Sequence, residues 1–226
     1  MAILRIGSGE EWSFLNGAWQ EGPQGELVPP DGTEAEYVAV RKNEVYEDFT
    51  ASFRFRLRNI AGARFVFRVQ DSRRFYALDI PFGPQQFTSR ACWAGMVIAD
   101  GTPLQRYLNF GLVPGICARI DHWYEVRVEA TGPRLRAWID DIIVADVEDH
   151  TYSRGHVGLS FIQDIWCAAP LFDRVVIEGT PQPPSDPLDL QRPRPHWITP
   201  CPEADPTTCQ SYANLIKGAS GEVLLS

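Results

Sequence analysis

The sequence predicts an all-β protein, an antiparallel sandwich of two sheets followed by a proline-rich C-terminal extension. Two observations indicate this fold class. Residues 49–57 alternate almost without error between apolar and polar side chains, which is the period of a strand with one buried face. Residues 121–161 read as four short strands separated by turn residues, so neighbouring strands should run antiparallel.

The stretch 121–161 gives the clearest strand pattern. Thr131, Gly132 and Pro133 supply its first turn, and Asp140 and Asp141 supply the second. The side chains that the alternation assigns to the core are Tyr124, Val126, Val128, Leu135, Ala137, Ile139, Ile142, Val144, Val157, Leu159 and Phe161. Four strands in a meander are therefore expected here.

The first half of the chain continues the pattern. A hairpin is expected over residues 64–80, with its turn at Gln70, Asp71 and Ser72. Alternation places Phe65, Phe67, Val69, Tyr76, Leu78 and Ile80 in the core, and Arg64, Val66, Arg68, Gln70, Phe75, Ala77 and Asp79 on the other face. Residues 81–120 are rich in loop signals, and long connections at one rim of a sandwich are where a ligand site is expected.

Several strings together resemble a known family. WYEVRV, RAWIDDIIVAD, RGHVGLSF and LFDRVVIEG are similar to the second half of concanavalin A-like (laminin-G-like) jelly-roll domains, in particular those related to the 3-keto-disaccharide hydrolase family. RVQDSRRFYAL resembles a strand pair of the same family. The resemblance extends over roughly residues 10 to 180 and implies a jelly-roll sandwich over residues 1–180. In place of the family's usual Asp-Gly turn stands Asp140-Asp141, which should give a less relaxed turn.

Composition excludes some classes of partner. The formal charge of −8 disfavours general binding to DNA or RNA, and no apolar run approaches the twenty residues of a membrane span. The N-terminal residues lack the features of a signal peptide, so a chain that began where its gene begins would be expected in the cytoplasm, and an excised module could be extracellular.

The five cysteines show no metal-binding or redox spacing. Cys201 and Cys209 could close a small loop in an oxidising compartment, and the alternative is that the cysteines are free, mostly buried thiols.

The composition changes after residue 180. Residues 181–197 are dense in proline and predict a semi-rigid linker. In residues 198–226 the string YANLIKGASGEVLLS resembles the first strand pair of a sialidase-like (BNR) propeller. Either the chain continues into a following propeller domain of a glycan-active protein, or the tail docks on the sandwich or on a neighbouring copy.

Sugar binding requires aromatic rings that stack on pyranose faces, together with a few fixed polar groups. The candidates are Tyr76, Trp93 and Trp166, with Tyr107 and Trp138 as further aromatic residues and Arg74, Asp79 and Arg90 as polar partners. Each aromatic side chain could instead belong to the core. No Glu-x-Asp-x-Glu string of a retaining glycosidase and no Ser-His-Asp arrangement is visible, so no catalytic residue is identified.

Arginines form a second feature. Alternation places Arg54, Arg56, Arg58, Arg68, Arg127 and Arg136 on outward faces. Such a row could bind the carboxylate or sulfate of an acidic sugar, or it could pair across strands with Glu125, Glu129 and Asp140. His156 lies on an outward face too, as a surface histidine or an acid-base group.

The resemblance also implies a structural calcium. In these domains the Asp of the final F-D-x-V strand and N-terminal backbone oxygens bind the ion, which here would be Asp173 and residues 7–10. Three functional hypotheses follow. The first is a carbohydrate-binding or accessory module of a glycan-degrading protein. The second is a glycoside or 3-keto-glycoside hydrolase that uses Asp79 and rim histidines, and the third is a structural or assembly domain.

Overall fold

The computed structural model describes residues 2–3, 11–30, 36–58, 62–81, 91–102, 105–117, 119–162 and 169–190. Within these ranges the chain forms strands and turns and no helix, so none of its segments has the length and hydrophobicity of a membrane-crossing helix. The strands are β1 Ala2–Ile3, β2 Trp12–Leu15, β3 Gln20–Glu21, β4 Leu27–Val28, β5 Glu36–Arg41, β6 Phe49–Arg56, β7 Ala63–Asp71, β8 Arg74–Ile80, β9 Ala91–Asp100, β10 Arg106–Cys117, β11 Trp123–Thr131, β12 Arg134–Ile139, β13 Ile142–Glu148, β14 His156–Ile162 and β15 Leu171–Gly179.

The strands form two antiparallel sheets. Sheet A has the order β13-β12-β11-β6-β15-β4-β3, with β1 also paired to β15, and sheet B has the order β10-β9-β8-β7-β14-β5-β2. Strands distant in sequence are neighbours, as in β6 beside β15 and β7 beside β14. The predicted all-β sandwich is confirmed.

The core lies between the sheets and is rich in aromatic rings. Phe53 of sheet A stacks on Phe65 of sheet B with ring centroids 5.5 Å apart, and Phe67 stacks on Tyr76 at the same distance. The predicted alternation of β6 is confirmed, because its four apolar side chains are all buried. Offset aromatic pairs of this kind contribute about 0.5–1.5 kcal/mol each beyond the burial of their area.

The turn at Asp140 and Asp141 has the strain expected for a turn without glycine. Both residues have left-handed backbone, with φ of 46° and 65°. Left-handed conformation at both central positions is the geometry that favours Asn-Gly or Asp-Gly in a two-residue hairpin. The Asp140 carboxylate recovers part of the cost by accepting a hydrogen bond of 2.8 Å from the backbone N of Glu125.

A bulge in β7 makes two of the sequence predictions wrong. Arg68 has a left-handed φ of 48°, and the register with β14 shifts beside it. Val69, predicted for the core between the sheets, lies in the apolar cluster on the opposite side of sheet B. Arg68, predicted to point outward, is buried and donates hydrogen bonds of 2.8 Å to the carbonyls of Glu47, Gly132 and Tyr152.

The chain continues after β15 as a strap, residues 180–190, that lies against sheet B. Gln182 and Val45 exchange two backbone hydrogen bonds of 2.9 Å, and Arg154 donates to the Ser185 hydroxyl at 2.7 Å. Leu190 is 1% exposed. Within the predicted linker, Gln182, Ser185, Leu188 and Leu190 therefore contact the sandwich. Residues 191–197 and the predicted extension 198–226 lie outside the described residues.

Candidate functional site

The outer face of sheet B, the side turned away from the sandwich core, carries a charged row across four adjacent strands. The row consists of Glu36 of β5, Ser160 of β14, Arg64 of β7 and Asp79 of β8. Arg64 donates to both carboxylate oxygens of Asp79, at 3.3 and 2.8 Å, and lies 3.8 Å from the Glu36 carboxylate. Ser160 donates to Glu36 at 2.7 Å. The row is thus one connected network.

Burial and charge act in opposite directions on Arg64. Burial alone lowers the pKa of its guanidinium, but the carboxylates of Asp79 and Glu36 outweigh this effect, and the pKa is raised above its ordinary value. Arg64 therefore stays protonated, and a buried arginine is retained only because charged partners surround it. One cation faces two carboxylates, so the row has no surplus of positive charge.

An aromatic corner, made of Trp93, Tyr107 and Phe110, adjoins the charged row. Trp93 and Phe110 are stacked with centroids 5.5 Å apart and planes inclined by 15°, and Tyr107 lies 4.5 Å from Phe110. All three side chains are half-buried. The Tyr107 hydroxyl donates to the Asp79 carboxylate at 2.9 Å, so the aromatic corner and the charged row are in contact.

Gly95 allows Phe110 to lie close to the backbone of β9. It pairs with Asp79 on one side and with Phe110 on the other. A Cβ at residue 95 would lie 2.3 Å from the carbonyl oxygen of Asn109 and 2.9 Å from a ring carbon of Phe110. The lack of a side chain therefore allows Phe110 to approach the backbone of β9, next to Asp79.

The rest of this face is apolar and is covered by the strap. Its buried side chains form one cluster that Leu190 completes and against which Leu188 and Tyr107 pack. The cluster comprises Val38, Val40, Val66, Val69, Phe75, Ala77, Val97, Ala99 and Leu190. In β5, β7 and β8 the charged residues Glu36, Arg64 and Asp79 lie at the same edge of the outer face. The apolar residues of these strands fill the remainder of that face.

The structure unites some of the predicted sugar-binding residues and separates others. Trp93 belongs to the aromatic corner, and Asp79 is bonded to Tyr107 of the same corner. Tyr76 faces the core, where its hydroxyl donates to Asp149 at 2.5 Å and burial raises its pKa to about 12. Arg74 lies at the far end of β8 and pairs with Asp71 at 2.8 Å. Trp166 and Arg90 lie outside the described residues.

Sequence reasoning named Asp79, Trp93 and Tyr107 but did not assemble the site. The Arg64–Asp79 pair could not be predicted from the hairpin turn alone, because the bulge between Phe67 and Asp71 shifts the register between the turn and Arg64. No sequence pattern predicted which face of the sheet Phe110 occupies. The register of β10 shifts between Tyr107 and Asn109, which breaks the alternation that would have assigned its face.

The predicted arginine row divides between different environments. On the outer face of sheet A the guanidiniums of Arg54 and Arg56 each lie 5.0 Å from the Trp123 ring, and Arg127 lies 4.0 Å from Trp138. Arg136 pairs with Glu129 at 2.6 Å. Arg58 donates to the carbonyl of Ala169 at 2.7 Å, and Arg68 is buried as described above.

The cross-strand pairing alternative is therefore favoured over an anion-binding row. Arg54 and Arg127, together with Arg174, border a shallow groove of about 270 Å³ above Ser52. Glu125 and Asp141 also line it, and Arg54 is bound to Asp173. The carboxylates offset the positive charge that a sulfate or carboxylate ligand would need.

His156 is on the predicted face but is not a surface group. It is buried, with Nδ1 2.8 Å from the carbonyl oxygen of Arg41, and burial lowers the pKa of its imidazole. It lies at the apolar end of β14, away from Ser160 and the charged row. An acid-base role with the aromatic corner has no support from this position.

The predicted calcium ligand Asp173 is bound by cations of the protein itself. Arg54 donates to its carboxylate, and Arg174 lies 3.7 Å away. Two guanidiniums beside one carboxylate do not fit a divalent ion. No cluster of three or more metal-ligating side chains occurs among the described residues, and residues 7–10, the other predicted ligands, lie outside them.

The profile of the 3-keto-alpha-glucoside-1,2-lyase-like domain matches residues 7–167 of the chain, which include the charged row and the aromatic corner. The chain belongs to this family. A search of curated proteins gave no match to this lyase-like domain.

Solved structures with a similar fold accompany the family match. Carbohydrate binding module CBM66 from Bacillus subtilis is 18% identical, with a TM-score of 0.57, covering 75% of this chain and 96% of that one. The metal-free carbohydrate recognition domain of Emp46p is 13% identical, with a TM-score of 0.57 and coverages of 77% and 91%. The exoplasmic/lumenal domain of VIP36 in its Ca2+/Man3GlcNAc-bound form is 14% identical, with a TM-score of 0.52 and coverages of 78% and 89%. At these identities the comparison shows a shared fold for the lyase-like domain.

Proposed function

We propose that the lyase-like domain binds carbohydrate at the aromatic corner of sheet B. The observation that carries the proposal is the contact between half-buried aromatic rings and fixed polar groups, made by the Tyr107 hydroxyl on the Asp79 carboxylate. A pyranose ring has an apolar face that stacks on indole or phenyl rings and hydroxyls that need fixed partners at its edge. Trp93 and Phe110 supply the first, and the Tyr107 hydroxyl, which the buried Asp79 carboxylate holds in place, supplies the second.

The charge at this end of the face fits an uncharged sugar. Asp79 already accepts hydrogen bonds from Arg64 and Tyr107, so its orientation is set before a ligand arrives. Solved structures of similar fold whose names describe carbohydrate binding or recognition give the proposal further support.

Direct binding to glycans tests the proposal. A glycan array identifies the ligand, and calorimetry on that ligand compares Trp93→Ala with Trp138→Ala as a matched control. Both variants lose one indole, but Trp138 lies in sheet A between Arg127 and Arg136. We expect Trp93→Ala to weaken binding at least tenfold and Trp138→Ala to leave it unchanged. Absence of binding to every glycan, or equal losses in both variants, would exclude the aromatic corner as the site.

A second candidate is elimination on a 3-keto-glucoside, which the family match and the charged row favour together. In such a substrate the C2 proton is acidic because it neighbours the C3 ketone. The Tyr107 oxygen would take this proton as its own proton passes to the Asp79 carboxylate, which Arg64 holds in place. The C1–O bond then breaks, the leaving oxygen takes the transferred proton back through Tyr107 and departs as the alcohol, and an enone with a C1=C2 double bond conjugated to the C3 ketone remains.

An aryl 3-keto-α-glucoside tests this reaction. We expect release of the phenol together with an enone that absorbs in the ultraviolet, and loss of the C2 hydrogen when that position carries deuterium. Tyr107→Phe keeps the ring and removes the hydroxyl, and should reduce turnover at least tenfold while binding through the aromatic corner persists. Release of phenol with full retention of the C2 deuterium would show hydrolysis instead.

A further inference from the structure

Among the described residues, the outer face of sheet B presents partly exposed aromatic rings at one corner. The strap covers the apolar half of the face through Leu188 and Leu190, and its backbone is bonded to Val45. A sugar chain that continued along the strands from the aromatic corner would meet this covered surface. The strap thus blocks extension of a bound glycan along the strands on one side of the site.

The direction across the strands is closed as well. Glu36, Ser160, Arg64 and Asp79, the four members of the charged row, are each no more than 7% exposed. A glycan that followed the row from β10 toward β5 would need these side chains to be accessible. By contrast, Trp93, Tyr107 and Phe110 on β9 and β10 are partly exposed, so within the described part of the chain a ligand can reach the site from this side and not along the charged row.

We propose that the site recognises the terminal sugar of a glycan, and that the strap excludes internal segments of the chain. This inference rests on the proposed carbohydrate binding and specifies its substrate class. One pyranose unit stacks at the aromatic corner, and the remainder of the glycan extends away from the sandwich. The residues that limit the site are the buried charged row on one side and the strap leucines on the other.

Linear and cyclic glycans of equal composition separate terminal from internal recognition. The full chain is titrated with maltohexaose against cyclohexaamylose, and with linear against cyclic β-1,2-gluco-oligosaccharides, because cyclic molecules have the same linkages and no ends. We expect the linear member of the recognised pair to bind at least tenfold more tightly. Equal affinity for the cyclic member would overturn terminal recognition and leave carbohydrate binding intact, whereas no binding to any member would count against both proposals.

A double substitution in the strap tests directly whether the strap excludes internal glycan segments. Leu188→Asp combined with Leu190→Asp in the full chain places two carboxylates against the apolar cluster and should release the strap. We expect the preference for linear over cyclic glycans to fall at least threefold, because the internal direction opens. Ile143→Asp, at an exposed isoleucine of β13 in sheet A, is the matched control and should keep the preference. If the folded double variant keeps the preference for linear glycans, the strap does not exclude internal segments. If the double variant does not fold, the comparison of linear with cyclic glycans in the unmodified protein tests the proposal.

Discussion

The guanidinium of Arg64 binds both carboxylate oxygens of Asp79 across the neighbouring strands β7 and β8, and both side chains are buried. This pair joins the interior of the charged row to the aromatic corner, because the same carboxylate accepts the Tyr107 hydrogen bond. Stability and binding should therefore be linked at Asp79.

Removing Asp79 should be costly for folding. Asp79→Ala leaves Arg64 buried with only part of its negative surroundings, and loss of one partner of a buried ion pair costs about 3–5 kcal/mol. Urea unfolding measures the loss. Asp146→Ala provides the comparison, because its pair with Arg134 is at the surface and its removal should hardly move the unfolding midpoint. Similar shifts of the urea midpoint in both variants would contradict a large contribution of the Arg64–Asp79 pair to stability.

The two glycines beside the aromatic corner should respond differently to alanine. In Gly95→Ala the new methyl would overlap Asn109 and Phe110, and we expect a loss of about 1–3 kcal/mol together with weaker glycan binding. Gly111→Ala meets nothing within 4 Å and should be close to neutral. Thermal unfolding and calorimetry of the two variants check the expectation, which fails if Gly95→Ala binds and unfolds like the unmodified protein.

The strained turn between β12 and β13 should be improved by glycine. Asp141→Gly relaxes a residue with φ of 65° and should stabilise the protein by about 0.5 kcal/mol. Asp140→Gly removes a similar strain but also the acceptor for the backbone N of Glu125, so it should give no gain. The midpoints of thermal unfolding distinguish the two, and a larger gain from Asp140→Gly would reverse the interpretation.

His156 should make stability depend on pH. Its pKa in the folded protein is lowered below the ordinary 6.5 by burial, so below pH 6.5 the unfolded chain takes up a proton that the folded chain does not. This contribution to stability is present above pH 6.5 and decreases, by at most about 1.4 kcal/mol per pH unit, as the pH falls toward the folded pKa.

His156→Gln removes this titration. Urea unfolding at pH 7.5 and 5.5 should show a smaller decrease in the variant than in the unmodified protein. An identical decrease in both would assign the acid sensitivity to other groups.

The sequence by itself determined most of the strands and most of the side chains that fill the core, but residues 106–117, which were expected to be loop-rich, form β10. In β6 and β11 alternation decided which face is buried, because a strand repeats every two residues and apolar side chains leave water wherever a second sheet can cover them. Alternation also placed Arg64 and Asp79 on the same face of the hairpin of β7 and β8, although the bulge at Arg68 sets the register that pairs them.

Only the tertiary structure decided which side chains come together on the outer face of sheet B. Bulges at Arg68 and in β10 reversed local alternation, and no local pattern encodes a bulge that depends on neighbouring strands. The contact between Tyr107 and Asp79, and the packing of Leu188 and Leu190 on sheet B, join residues from separate strands and from beyond the last strand. Such contacts arise when the sheet folds, because long-range packing sets which distant side chains meet.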